Sequence, residues 1–356
     1  MVVSATWVNE HLHGSALDLA ALHATDELSD TLTLERHDPS EPLEDLLAAF
    51  DRDGAILLGG VIDPEVVAGY KAEHDAQLAE VREFAANNPS AATVRTQKDP
   101  HYDQKHNWQL PPRLMARKGV DGLPGVAARR LQGVASALAS GETATQGGGQ
   151  GGGQRKGYMP SADGEMVEVT PRATNMQVGG NGQRWEFYYG HKDLPRYASP
   201  DYFYPGPIRA MLDAVMGGPD ERGRRDYRSS GGALSTTGVA AHGGWHRDPG
   251  TLFEDEKLDM AIPDFYCTML MPLDPTPLER GPTEFILGSH RKTVPELCES
   301  GTGEGALRIA AACADPGDVI LFNGKILHRG RANMSDKGRG VLYVSHTKVW
   351  YDDSYQ

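Results

Sequence analysis

Short apolar runs in the C-terminal third of the chain constrain its fold more than any other feature. Four such runs are apolar or β-branched, and Pro, Gly or Asp clusters separate them: 265–271, 307–311, 319–322 and 341–345. No helical period of useful length lies between these runs, which argues against alternating strands and helices. The pattern therefore predicts a sandwich or barrel of antiparallel strands.

Helices are predicted to flank this β-rich region. The first has apolar residues at the i, i+3, i+4, i+7 spacing of one helix face, namely Leu43, Leu46, Leu47 and Phe50. A short buried strand is expected at 55–58, and Pro64 then begins a second helix at its first turn. The apolar face of that helix includes Val67, Tyr70, His74, Leu78 and Val81. A third short helix is expected at 208–216, with Gly217 ending it.

The rest of the chain is more polar and is rich in Gly and Pro. Residues 1–41 are predicted to form an N-terminal arm, and a single domain is expected at 42–350, with its catalytic β-core at about 230–350. A long insertion at about 87–175 contains the Gly-rich tract 146–154. Such a segment is either a disordered surface insertion or a mobile lid over a site, and the sequence leaves both interpretations open.

Charge and cysteine content narrow the range of partners and compartments. The formal net charge of −14 disfavours binding to nucleic acid, which usually requires a basic surface. The three cysteines, Cys267, Cys298 and Cys313, are widely spaced, as expected in a reducing compartment. Neither a leader peptide nor a membrane-spanning run is recognisable. We therefore expect a cytoplasmic protein that binds neither membranes nor nucleic acid; its oligomeric state is not predicted.

The motif His-x-Asp occurs three times, at 101–103, 191–193 and 246–248. On an extended strand, residues two apart point to the same face, so an imidazole and a carboxylate at this spacing can bind one metal ion. The motif is short enough to occur by chance. The first copy lies in a polar, loop-like stretch, whereas the second follows an aromatic run and is a genuine rival of the third.

Downstream residues favour the third copy. A buried run at 319–322 leads into His328, which can supply a second imidazole from a neighbouring strand. Two histidines and one carboxylate form the facial triad of non-haem Fe(II) oxygenases. Arg339 follows His328 by 11 residues, and a hairpin would return it to the same site. A buried arginine needs an anionic partner, which is either a co-substrate carboxylate or a surface residue such as Asp336.

In their order and spacing these segments resemble the phytanoyl-CoA dioxygenase-like family of Fe(II)/2-oxoglutarate-dependent oxygenases. The resemblance covers roughly residues 42–86 and 205–350 and rests on 53–64, 246–248, 272–290, 317–322, His328 and Arg339. Its most specific parts are the Gly-Pro-Thr…Gly-Ser-His segment at 281–290 and the spacing from His328 to Arg339.

The resemblance implies a mainly β fold with flanking helices, namely a double-stranded β-helix (jelly roll, cupin-like). It implies that His246, Asp248 and His328 bind iron and that Arg339 binds the C5 carboxylate of 2-oxoglutarate. Related proteins often carry Ser or Thr two residues after the second histidine, to share that carboxylate, whereas this chain has Gly330. Another hydroxyl would then substitute, and the candidates are Thr268, Thr283 and Ser345, unless Arg339 acts alone.

The resemblance further implies a dioxygenase that uses Fe(II), 2-oxoglutarate and O2, releases succinate and CO2, and oxidises a small-molecule metabolite, such as a natural-product intermediate. Because related halogenases lack the carboxylate, Asp248 implies hydroxylation, or desaturation or cyclisation, rather than halogenation. Candidate residues around the substrate or behind the metal ligands are Trp245, Arg247 and Asn323, although packing explains Trp245 equally well; His290 is expected to be structural. The alternatives are a 2-oxoglutarate-independent iron oxygenase and a non-catalytic jelly-roll protein that binds a metal or a ligand.

Overall fold

The computed structural model describes two facing β-sheets with helices packed on the larger one. The described residues are 31–87, 93–95, 105–109, 157–160, 166–169, 175–179, 184–188, 200–240, 242–243, 245–249, 252–253, 255–293, 296–297 and 308–351.

Three of the five described helices form where the apolar periodicity predicted them. The described α-helices are α1 (Leu43–Asp53), α2 (Pro64–Asn87), α3 (Pro200–Phe203), α4 (Ile208–Met216) and α5 (Glu256–Ala261). The predictions of α1, α2 and α4 are confirmed. Leu46 and Phe50 of α1 are buried, as are Met211 and Leu212 of α4. Gly54 ends α1 with a φ of 79°, a left-handed conformation in which glycine carries no Cβ penalty.

The described strands are, in chain order, β1 (Leu32–Thr33), β2 (Arg36–His37), β3 (Ala55–Leu58), β4 (Thr93–Arg95), β5 (Lys105–Gln109), β6 (Gly157–Pro160), β7 (Met166–Val169), β8 (Asn175–Gly179), β9 (Arg184–Tyr188), β10 (Tyr227–Thr236), β11 (Tyr266–Pro272), β12 (Thr283–Ile286), β13 (Ile309–Ala311), β14 (Val319–Asn323), β15 (His328–Gly330) and β16 (Arg339–Lys348). The predicted strand at 55–58 and the four predicted C-terminal runs are confirmed as β3, β11, β13, β14 and β16, with ends that differ by at most three residues. The apolar pattern of the sequence does not predict β10, β12 or β15.

The strand order is that of a jelly roll. Within the larger sheet, the central order is β14-β11-β16-β10, and the smaller sheet has the order β1-β13-β12-β15. A short bridge between His246 and His328 adds the segment around His246 to the free side of β15. From β10 onward, successive strands cross from one sheet to the other, except that β12 and β13 are antiparallel neighbours within the smaller sheet, as in a double-stranded β-helix. The predicted fold class is confirmed.

Alternation along the strands separates two hydrophobic cores. Met269, Leu321 and Leu342 lie in the core between the larger sheet and the helices. Leu270 and Phe322 instead lie in the core between the two sheets, with Phe285 of the smaller sheet. Side chains in register with this second group therefore point into the interior of the jelly roll.

Most described strands of the predicted arm and insertion extend the two facing sheets, whereas β6 and β7 pair with each other in a separate two-stranded sheet. At the end of the arm, β1 pairs in parallel with β13 and β2 pairs in parallel with β3. From the insertion, β4, β5 and β8 extend the larger sheet beyond β9. The Gly-rich tract at 146–154 lies outside the described residues, so its role as lid or linker stays untested. Among the helices described, none has the length and apolar character required to cross a membrane.

Candidate active site

Three side chains at the open end of the jelly roll form a possible metal site. One ligand atom from each of His246, Asp248 and His328 lies within 4.8 Å of the others. The Nε2 atoms of His328 and His246 are 3.3 and 3.8 Å from Oδ1 of Asp248. Among the residues described, this is the one group of three or more His, Cys, Asp or Glu side chains close enough to hold a metal ion. Two imidazoles and one carboxylate are the ligand set of a facial triad.

Backbone pairing brings these three residues together. The amide and carbonyl groups of His246 and His328 exchange two hydrogen bonds of 3.0 Å, which bring the two imidazole centroids to 4.3 Å. The amide of Asp248 donates to the carbonyl of Gly324 at 2.9 Å. The site is therefore held by main-chain contacts between two segments that are distant in sequence.

The tautomer of His328 is set by its own strand. Its Nδ1 lies 3.1 Å from the carbonyl oxygen of Ile326, which can only accept, so Nδ1 carries the proton and Nε2 is directed to the metal position. The ring packs against Phe322 at a centroid distance of 4.6 Å. The side chain of His246 is 47% exposed, against 8% for His328. The site thus opens to solvent on the His246 side.

Asp248 is held by a hydroxyl group behind the metal position. Thr268 on β11 donates a hydrogen bond of 2.6 Å to Oδ2 of Asp248, whereas Oδ1 faces the imidazoles. Burial raises the pKa of Asp248, but the adjacent His328 and His246 and the hydroxyl of Thr268 outweigh burial, and the net pKa is lowered. The carboxylate is therefore ionised and oriented, as a metal ligand must be.

Arg339 is a buried cation a short distance along the interior. The residue is 5% exposed, and no acceptor for its Nε exists among the described residues. Burial lowers the pKa of Arg339 to about 9, with contributions from Arg184 and Arg280 that Asp274 partly opposes. Asp274 is shared with the ammonium of Lys71 at 3.2 Å, with Arg280 at 3.4 Å and with a backbone amide. Among the described residues of this cluster, the cations Arg339, Arg280 and Lys71 outnumber the carboxylates Asp274 and Asp75, and an anionic ligand would complete it.

The three candidate hydroxyls lie at different ends of the site. Thr268 pairs in register with Ser345, and Ser345 accepts a hydrogen bond of 3.2 Å from Tyr266. Ser345 follows Arg339 by six residues on β16, which separates their Cα atoms by about 20 Å. This corrects the expectation that Thr268 or Ser345 shares a carboxylate with Arg339, because both lie at the metal end. Thr283 instead lies directly opposite Gly330 in the smaller sheet.

The other residues singled out around the triad contact protein groups. The guanidinium of Arg329 stacks over the Trp245 ring at 4.7 Å. Arg247 alternates with the two metal-ligand candidates on either side of it, and its Nη2 donates to the Lys292 carbonyl at 2.7 Å. Asn323 is fully buried; its side chain donates to Asp264 at 2.7 Å and accepts from the Lys325 amide. Each of the three residues thus contacts neighbouring protein groups, and a role around the substrate or behind the metal ligands stays a prediction.

The histidines expected to be structural are buried in protein contacts. His290 is 2% exposed and lies 3.2 Å from the Asp51 carbonyl, and burial lowers its pKa to about 4. His74 is 1% exposed and lies 2.7 Å from the Ser235 hydroxyl. The rival motifs at 101–103 and 191–193 lie outside the described residues.

Sequence reasoning missed Arg184. This residue begins β9, and its Nη2 donates to the carbonyls of Gly330 and Arg331 at 3.2 and 3.1 Å. The signal in the sequence is indirect: position 330 is glycine, where the resemblance leads one to expect a hydroxyl residue.

Comparison with known proteins confirms the resemblance inferred from the motifs. Residues 223–341 match the family model of phytanoyl-CoA dioxygenase (PhyH), and this segment contains the candidate triad and Arg339. Two curated relatives are "Dioxygenase FrzG" of Cladobotryum sp, 33% identical over 103 residues (28% of this chain, 34% of that protein), and "Dioxygenase lolE1" of Epichloe uncinata, 29% identical over 90 residues (24% and 35%). The matched segments thus span about a third of the length of these relatives.

A solved structure with a related outline is the non-heme alpha ketoglutarate dependent epimerase SnoN from nogalamycin biosynthesis. Its TM-score is 0.43 at 16% identity, covering 86% of this chain and 83% of that chain.

Proposed function

We propose that the chain is a non-haem Fe(II)/2-oxoglutarate-dependent dioxygenase that oxidises a small-molecule metabolite, by hydroxylation. The observation that carries the proposal is the pairing of two features in one interior. A His246–Asp248–His328 cluster has ligand atoms within 4.8 Å of one another, and a buried Arg339 whose Nε has no acceptor among the described residues lies farther inside. An iron ion and a dicarboxylate co-substrate would satisfy the two features together.

The donor set fits iron. Nε2 of His328 is directed to the metal position by the hydrogen bond at Nδ1, and Oδ1 of Asp248 is turned toward both imidazoles. When bound, iron with 2-oxoglutarate supplies oxidation by O2, coupled to release of succinate and CO2. Three protein ligands leave three coordination positions for the co-substrate and O2.

The residues of this chain would bind the co-substrate, orient the metal ligands and exclude water. Thr268 fixes the carboxylate of Asp248, while Phe322 and Phe285 line the inner side of His328. Arg339 would bind the far carboxylate of 2-oxoglutarate through its planar guanidinium, a geometry suited to bidentate contact. The exposed side of His246 is left for substrate.

The substrate class follows from charge and access. The net charge of −14 disfavours strongly anionic substrates such as a CoA thioester. A neutral or cationic metabolite, such as a natural-product intermediate, fits better. The carboxylate at position 248 favours oxygen insertion over halogenation because it occupies the position that a halide would need.

Turnover of 2-oxoglutarate tests the proposal directly. Protein reconstituted anaerobically with Fe(II) is supplied with 2-oxoglutarate and O2, and succinate is measured with and without metabolite pools; a product that gains one oxygen atom identifies the substrate. His246→Ala and Arg339→Met should abolish succinate release. Arg224→Met, which removes an exposed arginine paired with Asp220, is the matched control and should leave succinate release unchanged.

Two outcomes would contradict the proposal. Iron binding that survives His246→Ala would exclude this metal site. Oxidation of a metabolite that proceeds equally well in Arg339→Met and without 2-oxoglutarate would identify a 2-oxoglutarate-independent oxygenase instead.

A further inference from the structure

Arg184 fills the space that a side chain at position 330 would need. A Cβ atom built on Gly330 would lie 2.7 Å from Nη1 of Arg184, closer than a real Cβ contact allows. Gly330 lies within β15, where an ordinary L-residue fits the strand backbone. Nη1 is the far end of a flexible side chain, so a larger residue at 330 would displace the guanidinium, whereas glycine leaves it in place.

Strand register places Arg184 beside Arg339. Thr236 on β10 pairs with Arg184 on one side and with Arg339 on the other. The two arginines thus occupy one row across three neighbouring strands, about 10 Å apart between Cα atoms, and point to the same face of the sheet. That face is the interior, because Leu234, two residues before Thr236, packs into the core between the sheets.

The position of Arg184 is well defined. Its Nη2 donates to two successive carbonyls, those of Gly330 and Arg331, at 3.2 and 3.1 Å. These hydrogen bonds hold one edge of the guanidinium against β15 and place Nη1 beside the Cα atom of Gly330. The positive charge of Arg184 also repels that of Arg339 and contributes to lowering the pKa of Arg339. Two cations so placed in a partly buried interior are stabilised by an anion bound between them.

We propose that Arg184 is a second binding residue for the distal carboxylate of 2-oxoglutarate, and that Gly330 is glycine because Arg184 takes the place of the usual hydroxyl. This inference rests on the proposed function. The guanidinium of Arg184 would replace a neutral hydroxyl donor with a charged group that has several N–H donors, and this strengthens contact with a carboxylate. The co-substrate pocket is then selective for 2-oxo acids that carry a distal carboxylate.

Binding of 2-oxo acids to the full-length protein tests this inference without turnover. The protein is loaded with Ni(II), a redox-inert substitute with suitable ligand preferences, and dissociation constants are measured calorimetrically. Arg184→Met should weaken 2-oxoglutarate binding about 10- to 100-fold, the range for loss of a charged hydrogen bond. Binding of 2-oxobutyrate, which lacks the distal carboxylate, should be unchanged, and Arg224→Met should bind both acids as the wild type does.

A swap of the two residues provides a second, independent arm. Gly330→Ser alone should weaken 2-oxoglutarate binding, because its side chain collides with Arg184. The double variant Arg184→Met/Gly330→Ser removes the collision and restores a hydroxyl, so it should bind 2-oxoglutarate more tightly than either single variant. This recovery also guards against misreading a general loss of folding in Arg184→Met.

The outcomes distinguish failure of the role proposed for Arg184 from failure of the proposed function. If Arg339→Met weakens 2-oxoglutarate binding and Arg184→Met does not, the role of Arg184 is refuted and the proposed function stands. Equal weakening of 2-oxoglutarate and 2-oxobutyrate by Arg184→Met would show a merely structural role and also refute it. If neither arginine variant changes 2-oxoglutarate binding, the proposed function itself fails.

Discussion

Replacing Thr268 by valine should weaken metal binding without changing the metal ligands. Oγ1 of Thr268 donates to Oδ2 of Asp248 at 2.6 Å, while Oδ1 of the same carboxylate faces the imidazoles of His328 and His246 at 3.3 and 3.8 Å. Valine keeps the volume of threonine but cannot donate a hydrogen bond. The carboxylate then loses the contact that fixes its rotation.

The size of the effect follows from the charge on the acceptor. A hydrogen bond to a charged group contributes about 1.5–3 kcal/mol, and partners behind metal ligands typically change affinity by about 10- to 100-fold. Thr268→Val should therefore raise the Fe(II) dissociation constant by about 10- to 100-fold. Thr268→Ser keeps the hydroxyl and should stay within a few-fold of the wild type.

Competition with a chelator under anaerobic conditions measures this constant. The matched control is Thr283→Val, because Thr283 lies opposite Gly330 rather than beside Asp248 and should leave metal affinity unchanged. Unchanged Fe(II) affinity in Thr268→Val would refute the reasoning. So would an equal loss in Thr268→Val and Thr268→Ser, since packing rather than the hydroxyl would then be responsible.

Three further predictions concern stability. Gly54→Ala should lower the free energy of unfolding by about 2–5 kcal/mol, because position 54 has a φ of 79° and its Cβ would overlap the His290 ring; chemical denaturation at neutral pH measures the loss, and an unchanged midpoint would contradict it. Glu284→Gln should cost about 3–5 kcal/mol by leaving Arg329 and Arg331 buried without their shared carboxylate, whereas the same substitution at an exposed glutamate should cost little. The folded-state pKa of His290, about 4, lies below the unfolded value of about 6.5, so the unfolded state binds more protons between these values and stability is lost as the pH falls through this window. Between pH 7 and pH 5 the loss from His290 should be about 2 kcal/mol; His290→Gln should remove that part of the pH dependence, and an identical pH profile in the variant would count against it.

The three candidate metal ligands could be anticipated from sequence because two of them share one short motif and the third follows a recognisable strand. His246 and Asp248 are two residues apart on an extended segment, and His328 follows a strongly apolar strand. Alternation along a strand is enough to place such side chains on one face. Which hydroxyl contacts which carboxylate was not predictable, since that depends on the register between β11, β16 and the bridge at His246.

The strands that were missed lack the usual apolar signal. The strand β10 has the sequence Tyr-Arg-Ser-Ser-Gly-Gly-Ala-Leu-Ser-Thr, with glycine and serine at positions where strands normally carry β-branched residues. It forms because β9 and β16 pair along its two sides, so tertiary pairing outweighs intrinsic preference. The strand β15 has three residues, His-Arg-Gly, too few for any period to be recognised.

The position of Arg184 explains why the family motif alone does not indicate which residues would bind the distal carboxylate of the co-substrate. Gly330 lies inside the segment that matches the family, residues 223–341, whereas Arg184 lies outside it and is separated from Gly330 by 146 positions in sequence. Within the matched segment alone, Gly330 indicates that a hydroxyl contact to the co-substrate carboxylate has been lost. When β9 is considered as well, Gly330 instead leaves the space that the guanidinium of Arg184 occupies. Segments that extend the larger sheet beyond the jelly roll can therefore change the chemistry of the interior, and substitutions at 184 and 330 should be considered as a pair.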